Sequence, residues 1–229
     1  MAHVGGGRRV RLPPLNGEGW LVVGLVGVCQ ARVETLSGCT ADAVVDLGFG
    51  VQVRARLHLT PPGGGGWRRV RAWVEGRDVV LVQLAGEPWR GRTRALLVDG
   101  DAPPHVYHAE QVRVVDGDTL DVRVLLGFGV SVRQRLRLLG VNAPERGTAD
   151  GARAAEFVTR WAADWPRLVV RTVKDRSEKY GRILATVWGD PGGLSLNELL
   201  LANELAAPYP GVGGGRGDVN GATCYHTRV

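Results

Sequence analysis

The clearest pattern along the chain is the alternation from Val130 to Leu138. Val130, Val132, Leu136 and Leu138 fall on one side, and Arg133, Arg135 and Arg137 on the other. A period of two marks a strand with one buried face. A strand-like run precedes it, and Gly127-Phe128-Gly129 joins the two as a tight hairpin. The same signal occurs earlier. LGFGV stands at Leu47–Val51 and again at Leu126–Val130, an offset of 79. At that offset GCTADAVVDLGFGVQVRARLHL, from Gly38, pairs with GDTLDVRVLLGFGVSVRQRLRL, from Gly117. Further on, GRTRALLV from Gly91 pairs with GRILATVW from Gly181, at an offset of 90. The difference falls between Leu59 and Asp78, where the first copy has Pro61–Gly66 in place of Asn142–Gly151. Ordered matches on both sides of one gap read as an internal duplication.

Each copy predicts three strands, a helix and two more strands. The helices are expected at Trp67–Glu75 and at about Ala152–Asp164. The later strands are expected at about Asp78–Leu84 and Thr93–Val98, then Leu168–Lys174 and Arg182–Val187. A last helix, Leu196–Leu205, opens at Ser195 with Glu198 three residues on, the spacing of a capping box. The fold class is therefore mainly β with α, built as two tandem five-stranded Greek-key barrels of the oligonucleotide-binding (OB-fold) kind. The expected organisation is a flexible basic arm at 1–19, a first barrel at 20–99, a linker at 100–105, a second barrel at 106–209 and a Gly-rich tail at 210–229. Arg216-Gly217-Asp218 in that tail reads as chance in a glycine-rich stretch.

Composition narrows the class. The 229 residues are 44% hydrophobic, enough for buried cores, and no stretch reaches the ~20 apolar residues of a membrane span. Net charge is +6, and the only lysines are Lys174 and Lys179, so the positive charge is nearly all arginine. A basic chain suits a nucleic-acid partner, and arginine's planar fork suits phosphate. Arginine-rich coding bias explains the same composition equally well. Cys29, Cys39 and Cys224 show neither metal spacing nor a disulfide framework, which favours a reducing, cytoplasmic setting. Secretion is the lesser alternative: Arg8, Arg9 and Arg11 precede the apolar Trp20–Val28, but Pro13, Pro14 and Glu18 intervene.

The candidate chemistry clusters in the second copy. Asp116 and Asp118 flank Gly117, Arg137 follows, and Asn142, Pro144 and Glu145 come soon after. Hard oxygen ligands, a carboxylate base and an arginine together point to phosphate chemistry. Taken alone, Asp116-Gly117-Asp118 reads as a turn between strands. His105 and His108 read as structural or solvent-facing.

DGDT at Asp116–Thr119, RLLGVNAPE at Arg137–Glu145, KYGR at Lys179–Arg182 and LNELLLANELA at Leu196–Ala206 resemble the staphylococcal (thermo)nuclease-like family, in order and spacing, over about 106–209. The resemblance implies a calcium-dependent phosphodiesterase, other divalent cations being possible, that cuts DNA and RNA to leave 3′-phosphates. It implies Asp118, Asn142 and the Ala143 carbonyl as metal ligands, with Asp116 nearby through water. It implies Glu145 as general base, Arg137 and Arg182 on the scissile phosphate, and Tyr180 and Lys179 near the nucleotide. One departure stands out: the family's second metal carboxylate is the amide Asn142, followed by Ala143 rather than a hydroxyl residue. An amide oxygen ligates without negative charge, so weaker metal binding is expected. In the first copy Ser37, Cys39 and His58 replace Asp116, Asp118 and Arg137, and only Arg92 matches, at Arg182. That copy is expected to be inactive, with Arg54 and Arg56 left for weak phosphate contact. A nucleic-acid-binding tandem barrel without catalysis and a barrel scaffold for protein interaction remain the alternatives. Oligomeric state is left open.

Overall fold

The computed structural model describes residues 26–89, 92–100, 105–177, 183–190 and 193–209. The arm, most of the linker, the Gly-rich tail and Lys179, Tyr180 and Arg182 lie outside them.

Two closed barrels are present. In the first, β1 (Val28–Ser37), β2 (Thr40–Gly48), β3 (Val51–Thr60), β4 (Val80–Trp89) and β5 (Arg92–Val98) close in the order β1-β2-β3-β5-β4. The second repeats that order with β6 (Val106–Asp116), β7 (Thr119–Gly127), β8 (Val130–Leu138), β10 (Arg167–Ser177) and β11 (Ile183–Gly189). Both offsets read from the sequence are registers of the fold. Thr40 faces His58 as Thr119 faces Arg137, and Leu57 lies beside Thr93 in parallel as Leu136 lies beside Ile183. Both LGFGV turns are two-residue hairpins, with Phe49 at φ 53 and Phe128 at φ 52. Positive φ at both loop positions gives the twist that antiparallel strands require, and glycine at Gly50 and Gly129 supplies it without strain.

The turns also carry the contact between barrels. Phe49 packs against Tyr107, with ring centroids 5.3 Å apart and planes at 55°. The Tyr107 hydroxyl occupies the space a Cβ would need at Gly48, and Gly127 meets Leu84 of β4. Gly27 N–H donates to the Val106 carbonyl at 3.0 Å. Cys29 and Tyr107 sit at this seam, where burial pushes each side chain's pKa up to about 12, helped by the Asp46 carboxylate.

The helices differ at their ends from what periodicity predicts. α1 (Trp67–Val74) is as expected to within one residue. α2 (Ala149–Asp164) starts three residues earlier than expected, because Thr148 caps it: its Oγ1 accepts from Gly151 N–H at 3.0 Å. α3 (Leu196–Ala202) has the expected capping box at Ser195 and Glu198 but ends before Leu205, as Glu204 turns to φ 55. Alternation does not reveal a small extra sheet, β9 (Val141–Asn142) with β12 (Ala207–Pro208), because two-residue strands have no period to read. Among the described residues no helix is long and apolar enough to cross a membrane.

Candidate active site

The tip of the β6–β7 hairpin, Asp116–Thr119, meets the end of β8 and the segment that leaves it. Thr119 faces Arg137 across the two strands, so Asp118 lies beside the guanidinium. Alternation put Arg137 on an exposed face with Arg133 and Arg135, yet only 7% of Arg137 is exposed. It is covered because the 139–143 segment folds back over it. Ala143 N–H donates to Asp118 Oδ2 at 2.8 Å, and Arg137 Nη2 donates to Asn142 Oδ1 at 2.8 Å. Asp118 is itself buried and pairs with Arg137 Nη1, while Thr119 Oγ1 donates to its Oδ1 at 3.0 Å. Asp118 also contributes its carbonyl, which accepts from Leu138 N–H at 2.8 Å. The neighbouring Arg135 stays exposed on Asp121, whose carboxyl it holds below the usual range.

Two glycines let these pieces come together. A Cβ on Gly117 would lie 2.8 Å from the Cβ atoms of both Ala143 and Ala154, so only glycine lets the hairpin tip touch the 143 segment and α2. A Cβ on Gly151 would come within 2.0 Å of the Glu145 carbonyl oxygen. That carbonyl is pinned from the helix side, accepting from Thr148 N–H at 2.9 Å and Thr148 Oγ1 at 2.8 Å. The Glu145 side chain is exposed and has no hydrogen-bond or ion-pair partner among the described residues. Asp116 is half-buried, and its Oδ1 accepts from Gly117 N–H at 2.8 Å.

Sequence reasoning brought Asp116, Asp118, Arg137, Asn142, Ala143 and Glu145 to one end of the second barrel, and the fold gathers them there. It missed Asn197, which lies inside the LNELLLANELA motif and is 6% exposed. Asn197 Nδ2 donates to the Leu139 carbonyl at 2.8 Å and the Ala185 carbonyl at 3.2 Å, and its Oδ1 accepts from Val187 N–H at 3.1 Å. One amide thereby fixes the start of the Asn142–Glu145 segment to β11. β12 holds the segment from the other side, with Tyr209 N–H donating to the Gly140 carbonyl at 3.0 Å. The signal was an asparagine beside the capping glutamate on the first turn of a leucine-rich helix. A buried polar side chain there needs partners.

The donor set suits a hard dication in kind, since Asp118, Asp116, Asn142 and the Ala143 carbonyl offer only oxygen. It is low in charge, and Arg137 engages both Asp118 and Asn142. Among the described residues no group of three acidic, histidine or cysteine side chains forms a metal cluster.

Residues 135–213 match the family model described as Staphylococcal nuclease homologue. From β8 onward the second barrel matches the staphylococcal nuclease domain. The chain is 34% identical over 112 residues to a micrococcal nuclease of Shigella flexneri, covering 45% of this chain and 59% of that protein. It is 31% identical over 107 residues to an uncharacterized endonuclease of Escherichia coli, covering 44% and 61%, and 39% identical over 79 residues to the E. coli protein ParB, covering 34% and 40%. The chain thus spans about three fifths or less of each of these curated relatives. The family match begins within β8, so the Asp116–Thr119 tip lies before it and is argued from its geometry.

Proposed function

We propose that the second barrel hydrolyses phosphodiester bonds of DNA or RNA with a divalent cation, calcium being the family's usual one. The observation that carries this reading is the buried Asp118–Arg137 pair, bonded to the exposed Asn142 amide, beside an exposed, unpartnered Glu145 carboxylate, within a nuclease-like domain. Asp118, Asn142 and the Ala143 carbonyl would hold the cation, with Asp116 acting through water. When bound, the cation would polarise the phosphoryl group and offset charge that builds on it.

The remaining work falls to side chains. Glu145 takes a proton from the attacking water as its oxygen bonds to phosphorus. The bond from phosphorus to the leaving oxygen then breaks, and that oxygen takes up a proton from solvent. Arg137 has five N–H donors, and the bonds to Asp118 and Asn142 leave Nε and part of Nη2 for phosphate oxygens. Its tie to Asp118 and Asn142 holds the guanidinium in place before substrate arrives, so little reorganisation is needed as charge develops. Arg182 would be a second clamp, with Tyr180 and Lys179 close to the nucleotide. The first barrel has no equivalent of this cluster and is assigned no catalysis.

A second reading, nucleic-acid binding without cleavage, is favoured by one observation: Arg137 already engages two of the oxygen atoms a cation would use, Asp118 Oδ2 and Asn142 Oδ1. Incubation of single- and double-stranded DNA and RNA with calcium, magnesium, manganese or chelator separates the two. Cleavage with at least one metal and none with chelator supports the nuclease. Binding without cleavage under every metal refutes it.

A further inference from the structure

The arginines on the barrel strands are largely neutralised. Arg54 pairs with Glu34, Arg56 with Asp42, Arg123 with Glu110 and Arg135 with Asp121. Arg54 and Arg56, expected to offer the first barrel's phosphate contacts, are thus committed to carboxylates. Helix α1 of that barrel differs. Its sequence WRRVRAWV has no acidic residue, and among the described residues none of Arg68, Arg69 and Arg71 has a carboxylate partner. Val70 is fully buried against the barrel, which turns Trp67, Arg68, Arg71 and Ala72 to solvent. Trp67 is 49% exposed, and the Arg68 guanidinium lies 5.8 Å from its ring centroid. Arg69 is steadied by donating to the Gly64 carbonyl at 2.9 Å.

We infer that the exposed face of α1 is a docking site for single-stranded nucleic acid, held by arginine on phosphate and by a base stacked on Trp67. The inference rests on the nuclease reading only for the class of partner, and it makes the first barrel a substrate holder for the second. Unpaired cations beside an exposed indole match a strand that presents phosphates and open bases together. A duplex satisfies the cations but keeps its bases stacked inside. A membrane surface would need the helix's apolar residues facing outward, whereas Val70 faces the barrel core.

Binding is tested on the full chain carrying Glu145→Gln, in chelator, with a labelled oligothymidylate of about 16 nucleotides and a duplex of equal length. Trp67→Ala should weaken single-strand binding by about fivefold to 150-fold and leave duplex binding nearly unchanged. Arg68→Glu with Arg71→Glu should lower the slope of log affinity against log salt by about 1.4, two phosphate contacts' worth. Ala72→Arg, on the same exposed face, should tighten binding. These positions are exposed, so the melting temperature should hold and a loss of affinity reports the surface itself. Unchanged single-strand affinity and salt slope in both loss variants would overturn the inference. So would equal loss on duplex with Trp67→Ala, or loss confined to phosphatidylserine vesicles. With Glu145 restored and calcium present, the parent should cleave the same single strand. If the parent cuts nothing, the nuclease reading fails, while the binding measurements still decide the docking site.

Discussion

Replacing Asn197 removes one side chain that holds the candidate site from behind. Its amide makes three hydrogen bonds inside the second barrel, to Leu139, Ala185 and Val187. In Asn197→Ala the Ala185 carbonyl keeps the Leu139 N–H as partner at 2.8 Å. The Leu139 carbonyl and the Val187 N–H lose the bonds the amide made. A buried polar group left unsatisfied costs about 1–3 kcal/mol, so the two together should cost roughly 2–6 kcal/mol. For a chain of this size that lowers the melting temperature by roughly 4–24 °C. Asn197→Asp makes a sharper test. Its carboxylate still accepts from Val187 N–H but turns its second oxygen toward two carbonyl oxygens, so it should destabilise at least as much as alanine. Calorimetry on the three proteins measures the order, and amide exchange at Val187 localises the effect. Because Leu139 leads into the Asn142–Glu145 segment, any cleavage rate should fall with stability. An aspartate variant as stable as the parent would refute the assigned amide orientation and the role built on it.

Three further outcomes follow from other contacts. Gly151→Ala forces a Cβ toward the Glu145 carbonyl; with the base displaced by about 1 Å, turnover should fall on the order of a hundredfold while substrate affinity changes little, read by single-turnover kinetics. Asn142→Asp adds the missing ligand charge and keeps an acceptor for Arg137, so calorimetric titration should show tighter calcium binding than the parent. Cys29 and Tyr107 have raised pKa values in the fold, so their contribution is complete below their ordinary values and is lost as pH rises toward about 12. Urea unfolding between pH 8 and pH 11 should show falling stability, with a slope of about 1.4 kcal/mol per pH unit for Cys29 once its unfolded thiol ionises. Cys29→Ala with Tyr107→Phe should flatten that slope.

Much of the fold was legible because its strands are half-buried and obey a period of two. The duplication was legible because both tight turns keep LGFGV, with positive φ at both loop positions between the strands. Arg137 shows where the pattern misleads. Alternation gives the side of the sheet a residue occupies, but not whether a later segment folds over that side. The start of α2 was misread because Gly151, a poor helix former, sits in its first turn; close approach to Glu145 requires it there. Asn197 and the β9–β12 pair hold the site through hydrogen bonds between distant segments, which no local pattern encodes. The uncompensated charge of α1 appeared only when the ion pairs of the neighbouring arginines could be seen.

The central claim is that Glu145 is the base of a hydrolytic site built on Asp118, Arg137 and Asn142. The direct test is single-turnover cleavage of saturating single-stranded DNA with calcium, comparing the parent with Glu145→Gln. The account predicts cleavage by the parent, a rate lower by about 10²–10⁴-fold in the glutamine variant, and equal affinity of both for the uncut strand. Equal cleavage rates in the two proteins would contradict it.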